Sequence, residues 1–233
     1  MRVYIYKTCI FSLSDCVKLY KIWYIYIYMN AKKIPDIIIG RLPVYLRALQ
    51  RMADNGLKTT SSQELGEHVG ISAAQIRKDI SQFGEFGKQG TGYSIEFLID
   101  KLREILKVDR IWDVVVVGAG DLGHALANYN GFQNRGFRVV AIFDNDKNKV
   151  GQKIGDFVVE DTATMNEKIK SLGVKIAMMT VPASAAQDVA DKLAQAGIKS
   201  ILNYAPVNVT VPNSVKVQYS DPATNLQRMT YYL

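Results

Sequence analysis

The stretch that most constrains the fold is Val114 to Gly123, Val-Val-Val-Val-Gly-Ala-Gly-Asp-Leu-Gly. Four β-branched residues in succession suit a strand buried on both faces of a parallel sheet. Gly118, Gly120 and Gly123 follow at the spacing of a dinucleotide-binding turn, and the helix formers Ala125, Leu126 and Ala127 come next. Gly118 permits the tight turn, Gly120 admits a pyrophosphate close to the backbone, and Gly123 lets the helix pack on the strand. Ala119, Asp121 and Leu122 complete the turn and carry the chain to the helix N-terminus, where an anion is favoured. Asp144 ends the next apolar run, Phe137 to Phe143, at the distance expected for an acid that accepts a ribose hydroxyl. An acid there repels a 2′-phosphate, so NAD(H) is preferred to NADP(H). From these residues alone, a non-binding turn or another nucleotide such as coenzyme A stays open.

The rest of the C-terminal half repeats the alternation of strand and helix. Short apolar runs stand at Phe157-Val158-Val159 and Ile176 to Val181, with a helix around Met165 to Ser171 between them. A helix over Ala185 to Ala196 closes at Gly197, and a strand over Ile198 to Leu202 leads to Asn203-Tyr204-Ala205-Pro206. This order predicts an α/β, Rossmann-like parallel sheet with right-handed crossovers over residues 109–219. Ligands of such sheets sit beyond the strand C-termini, so Gly118, Asp144, Val181, Pro182 and Asn203, Tyr204, Ala205 and Pro206 are expected to converge. Ser214 to Tyr219 offers one more strand. Asp221-Pro222 reads as N-cap and first residue of a terminal helix over 220–233, whose apolar stripe is Leu226, Met229 and Leu233. That stripe packs on its own domain or on a second subunit; both are open.

Charge separates the two halves. Of the net +7, residues 1–29 carry four basic and one acidic residue, 30–110 thirteen and ten, and 111–233 twelve and eleven. The excess lies before residue 110 and points to nucleic acid. Residues 29–108 read as a winged helix-turn-helix domain. A helix from Ile37 to Met52 has Leu42, Tyr45, Leu46 and Leu49 at helical spacing and stops at Asn55-Gly56. Ser61-Ser62-Gln63-Glu64 is a capping box that opens a short helix through Val69, and Gly70 makes the turn. Ser72-Ala73-Ala74-Gln75 is a second capping box, opening a helix to about Phe83 that would lie in a major groove. Ser72, Gln75 and Arg77 have the chemistry for base edges and Lys78 for phosphate, while Asp79 and Ile80 turn inward or cap. A small helical domain with solvated cations accounts equally well for this motif by itself. Four glycines between Gly84 and Gly92 then favour a slim wing with Lys88 and Gly90 near its tip and Tyr93 at its base. Ile95 to Lys107 is an amphipathic helix with Phe97, Leu98, Leu102, Ile105 and Leu106 on its apolar side, and Val108-Asp109-Arg110 is the linker.

Residues 1–28 differ from the rest. They hold six of the thirteen tyrosines and both cysteines, Cys9 and Cys16, with an apolar part too short to span a bilayer and no small-residue cleavage site. They are read as upstream sequence ahead of a start at Met29, the other reading being a β-prone or membrane-surface segment. Two cysteines make no disulfide framework or metal site, which fits a reducing cytoplasm.

Catalysis is missing where it would be expected. Hydride-transfer enzymes place a His, Lys or Tyr to move the accompanying proton. Here His68 falls in the helix-turn-helix, His124 follows the third glycine as a helix-face residue, and Lys175 precedes a strand. A bound dinucleotide is then better read as a signal than as a reagent.

From about Ile34 to Leu233 the chain resembles the redox-sensing transcriptional repressors of the Rex family. The motifs are Arg41-Leu42-Pro43-Val44-Tyr45-Leu46-Arg47, Ile76-Arg77-Lys78-Asp79, Phe83-Gly84 through Gly92-Tyr93, the three glycines, Thr180-Val181-Pro182-Ala183 and Ile201-Leu202-Asn203-Tyr204-Ala205-Pro206. The resemblance implies a homodimer, without metal or membrane, that binds an inverted-repeat operator when NADH is scarce and leaves it when NADH binds. It also implies a terminal helix exchanged between subunits. Arg47 would pair with Asp221 in the DNA-binding form, and Tyr129 would take Asp221 over with NADH bound. Two positions depart from the pattern: Pro222 stands where some members carry a bulky apolar residue, and Gln89 stands where a second basic residue is expected in the wing. The alternatives to a repressor are a small NAD-dependent oxidoreductase and a coenzyme A or nucleotide-binding regulator.

Overall fold

A computed structural model describes residues 34–84, 86 and 92–233. The 1–28 segment, Lys88, Gln89 and Gly90 lie outside the described residues. Residues up to Ile99 form one compact unit and Asp100–Leu233 a second.

The first unit begins with α1 (Asp36–Asp54), whose Leu42, Tyr45, Leu46, Leu49 and Met52 are buried on one side. Strand β1 (Thr59–Thr60) leads to α2 (Ser62–Val69), and α3 (Ala73–Ile80) follows after Gly70 in the left-handed conformation. The first capping box is complete: Ser61 Oγ accepts from Glu64 N at 3.1 Å, and Glu64 Oε2 accepts from Ser61 N at 2.8 Å. Such a cap contributes about 1 kcal/mol.

The second capping box is only half formed, which corrects the sequence expectation. Ser72 Oγ accepts from Gln75 N at 3.3 Å, but the Gln75 side chain turns away and donates to Asp79 Oδ1 at 2.7 Å. Donation from Nε2 to a buried carboxylate is a charge-assisted bond, and it aims the side chain at Asp79, away from the Ser72 N–H that its oxygen would have to accept from. Helix α3 also ends at Ile80 rather than near Phe83, because Ser81 Oγ donates to Lys78 O and competes with a further helical turn. Strand β2 (Tyr93–Ser94) pairs antiparallel with β1, closing the base of the expected wing. Helix α4 (Ile95–Leu106) buries Ile95, Leu98 and Leu102. Phe97 is 45% exposed rather than buried and stands 6.3 Å from the Phe86 ring, centroid to centroid.

The second unit is a doubly wound sheet. Its elements are β3 (Trp112–Val117), α5 (Asp121–Ala127), β4 (Phe137–Asp144), β5 (Lys153–Ile154), β6 (Phe157–Asp161), α6 (Met165–Leu172), β7 (Ile176–Met179), α7 (Ala183–Gln195), β8 (Ser200–Asn203), β9 (Lys216–Tyr219) and α8 (Pro222–Thr230). The strand order is β5-β6-β4-β3-β7-β8-β9, parallel throughout except for the short edge strand β5. Between β3 and β7 the order in which the strands are added reverses, the place where such sheets bind their ligands.

Val114 to Val117 explain why β3 is central. Val115 and Val117 pack with α6 and α7, while Val114 and Val116 pack on the opposite face with Ala127 of α5. Burying each valine contributes about 1.5 kcal/mol or more. Strand β7 ends at Met179, earlier than expected, because Val181 precedes Pro182 and the pair already leads into α7. Strand β8 starts at Ser200 rather than Ile198, since Ile198 N bonds back to Leu193 O of α7.

Candidate functional site

The glycine turn is built by crowding. Gly118 has φ +105°, and a Cβ there would lie 2.6 Å from Thr180 O. A Cβ on Gly123 would lie 1.8 Å from Gly118 O, so α5 can start this close to β3 only with glycine at that position. Thr180 Oγ1 donates to Gly118 O at 2.8 Å and to Val117 O at 3.1 Å, fastening the turn to the end of β7. Gly120 is different, because a Cβ there would meet nothing within 4 Å. It faces open space in a cleft of about 500 Å³.

That cleft brings together Gly118, Gly120, Asp144, Val181 and Pro182 of the expected cofactor residues. Ala119 hydrogen-bonds across to Asp144, and Asp121 and Leu122 are exposed on the first turn of α5. Asn203 to Pro206 lie at the C-terminal end of β8, outside this lining. Asn203 is buried and closes its own turn, accepting from Ala205 N at 2.8 Å and donating to Val207 O at 2.9 Å. Tyr204 is half-buried, and burial raises its phenol above the usual range.

Asp144 is nearly sealed from solvent at 7% exposure. Its Oδ2 accepts from Ala119 N at 2.7 Å, its Oδ1 accepts from Asp146 N at 2.9 Å, and Lys149 Nζ stands 3.4 Å from Oδ2. Burial alone would raise this carboxyl; the two backbone N–H groups and the Lys149 charge outweigh it and hold the group below its usual value. Sequence reading missed Lys149 and Lys192 on the cleft wall. The signal for Lys149 was the Asn145-Asp146-Lys147-Asn148 turn: Asp146 Oδ1 accepts from Asn148 N at 2.9 Å, and this fold of the chain returns Lys149 to the acid.

In the first unit the expected DNA-reading residues sit on α3 and its cap. Ser72 and Lys78 are exposed. Arg77 is exposed and its Nη1 donates to Ser62 Oγ of α2 at 3.0 Å. Tyr93 is half-buried in β2. Behind α3 lies an ion pair that sequence reading reduced to an inward turn. Asp79 is fully buried and accepts from Arg41 Nε at 2.6 Å, Arg41 Nη2 at 2.8 Å, Tyr45 Oη at 2.7 Å and Gln75 Nε2 at 2.7 Å. Burial pushes the Asp79 carboxyl up, but these donors, Arg41 foremost, bring it below the usual range. Burial and the bond to Asp79 push the Tyr45 phenol up.

Of the three expected switch residues, Arg47 is exposed on α1. Tyr129 is 47% exposed and packs edge-on against Phe132, 5.0 Å between centroids. Asp221 caps α8, its Oδ1 accepting from Ala223 N at 2.9 Å and its Oδ2 from Thr224 Oγ1 at 3.1 Å. Among the described residues there is no group of three or more His, Cys, Asp or Glu able to hold a metal. No helix among them is long and apolar enough to cross a membrane.

Comparison with known proteins matches both units. Residues 33–81 match a family model described as "Putative DNA-binding protein N-terminus", and residues 109–207 match the "CoA binding domain". The chain is 50% identical over 199 residues to the redox-sensing transcriptional repressor Rex of Chloroflexus aggregans, covering 85% of this chain and 94% of that protein. It is 44% identical over 202 residues to the Rex repressor of Brevibacillus brevis, covering 87% and 98%. A crystal structure of RSP with β-NAD⁺ and operator DNA is similar at TM-score 0.81 and 38% identity, covering 85% of this chain and 92% of that one. RSP with β-NADH is similar at TM-score 0.79 and 36% identity, covering 86% and 94%.

Proposed function

The chain belongs to the Rex family of redox-sensing transcriptional repressors, DNA-binding proteins that respond to NADH and NAD⁺, and from that premise we propose how its residues divide the task. The glycine turn holds the pyrophosphate, with Gly118 and Gly123 fixing its shape and Gly120 leaving room for the phosphates. Asp144 holds the turn through Ala119 N–H and faces the cleft where an adenosine ribose would lie. Val181 and Pro182 line the same cleft, and Asn203 to Pro206 form the neighbouring rim toward β8. The observation that carries this reading is the pairing of two motifs in one chain: a capped helix-turn-helix, and a cleft whose turn tolerates no side chain at Gly123.

The nucleotide acts as a signal. It supplies a ring that is cationic when oxidised and neutral when reduced, and a pocket that disfavours charge separates the two. Helix α3 enters the major groove with Ser72, Gln75, Arg77 and Lys78, and the wing carries Lys88, Gly90 and Tyr93 toward the minor groove. Two copies bind one inverted repeat, each lending α8 to the other. The exposure of Leu226 and Met229, 62% each, supports that exchange. Asp221 is the shared acid, held by Arg47 when DNA is bound and by Tyr129 when NADH is bound; one acid with two competing partners is a two-state element that a ligand can bias. The repressor works in the cytoplasm, where the DNA is, and performs no chemistry on its nucleotide.

Binding to a palindromic operator during titration with NADH, NAD⁺ and coenzyme A tests the whole reading. Release by NADH well below the NAD⁺ concentration is expected. Release by coenzyme A alone would favour the second reading, which the family match over 109–207 motivates. Release by neither nicotinamide nucleotide sinks the main one. Asp221→Ala is expected to bind NADH yet stay on DNA; unchanged NADH sensitivity counts against the shared acid.

A further inference from the structure

Gln75 is half-buried on the first turn of α3, and its amide is tied to a group that can only accept. Asp79 is an ionised carboxylate, already bonded to Nε and Nη2 of Arg41 and to the Tyr45 hydroxyl. A carboxylate offers no proton, so the side of the Gln75 amide that faces it must be the NH₂ group. The other end, Oε1, then points the opposite way. Among the described residues no group donates to Gln75 Oε1, and it is not among their buried unpartnered atoms. It is therefore open to solvent.

We infer that the buried Arg41–Asp79 pair fixes which way round Gln75 meets DNA, so that Gln75 presents a hydrogen-bond acceptor and reads a base that carries a donor in the major groove. This rests on the reading of α3 as the groove-bound helix. Adenine fits first: its N6 amino group donates to Oε1, and the second Nε2 proton is available to adenine N7. Cytosine, which offers a donor at N4, comes next. Guanine and thymine present only acceptors on that edge and leave Oε1 facing another oxygen. Asp79 and Arg41 touch no base. They are positioning residues, and a specificity normally assigned to one exposed side chain is set from the core behind it.

The test starts from an operator selected by the full-length chain from random duplexes. Binding is then measured at fixed salt with each base pair of a half-site varied singly, including a purine that lacks the 6-amino group. One adenine position is expected to lose about tenfold in affinity without that amino group. Gln75→Met should flatten the preference at that position and leave the others intact. Gln75→Glu loses the Nε2 donor and sets a second carboxylate against Asp79, so the orienting bond is lost and the adenine preference should go with it, with weaker binding overall. Asp79→Asn, whose side chain can face Gln75 with either end, should admit guanine there; a thermal melt shows whether this variant is folded, and the two Gln75 variants decide the matter if it is not. A Gln75-dependent preference for guanine means the amide faces the other way and overturns the inference. No change at any position in Gln75→Met also overturns it, while DNA reading by α3 stands. Failure to select any operator would instead refute the repressor reading itself.

Discussion

Among the described residues each unit contains one nearly sealed carboxylate, Asp79 in the first and Asp144 in the second, and both are held below the usual range. The difference lies in their donors. Asp79 is met by three side chains from α1 and α3, one of them a guanidinium. Asp144 is met by two backbone N–H groups and by a lysine at the edge of a cleft. A carboxylate closed in by side chains serves the packing of helices. One closed in by backbone serves the shape of a loop, and through it a ligand. Burial alone does not distinguish the two; the identity of the donors does.

Removing each acid's support should therefore register in different measurements. The largest effect is expected for Arg41→Ala, which leaves Asp79 buried and unpaired and should destabilise the first unit by about 3–5 kcal/mol, read by urea or thermal unfolding. Because the folded Asp79 value is depressed, this stabilisation is present above the unfolded carboxyl value of about 3.9 and fades as pH falls through the lower folded value. Wild type and variant should therefore converge in acid. Equal stability at pH 7 would refute the role given to the pair. Gly123→Ala comes next. The clash with Gly118 O is with backbone, so about 1–3 kcal/mol of stability should be lost from the second unit. NADH affinity, followed by fluorescence, should fall with it, and retained affinity would mean that the turn is more pliable than drawn. Asp144→Ala should weaken NADH by about tenfold, the size of a lost hydrogen bond to a charged group, while the melting temperature without nucleotide falls less than in Arg41→Ala, by the cost of freeing the Ala119 and Asp146 N–H groups. A large drop in that melting temperature would make Asp144 resemble Asp79 after all. The smallest effect belongs to Lys149→Ala, within about 1 kcal/mol and screened by salt, because its partly exposed ammonium stands 3.4 Å from the acid.

The second unit was the more legible in the sequence. The valine run, the glycines and Asp144 are local signals, and their spacing points to the parallel sheet and the place of the cleft. The first capping box was legible for the same reason, since Ser61 and Glu64 are three residues apart. The Arg41–Asp79 pair was not, because its members are 38 residues apart and only the packing of α1 on α3 brings them together. That hidden pair is also why the second capping box misled: Gln75 has the right spacing from Ser72, but a buried anion one turn onward takes its amide. Lys149 escaped notice because its place depends on the Asp146 side chain, which folds the turn so that the next residues come back to the cleft. Phe97 shows the limit of periodicity, which places a residue on a face without saying that anything covers it.

Asp221 has a consequence for how any signal through it would be transmitted. Both its oxygens are engaged at the start of α8, on Ala223 N and Thr224 Oγ1. Whatever recruits this acid must first draw it from its cap, at about 1 kcal/mol. The charge and the order of the terminal helix are thus a single variable: moving one loosens the other. A change in a small molecule's oxidation state would then be felt as fraying of nine residues of helix, and amide exchange along Pro222 to Thr230 would follow it.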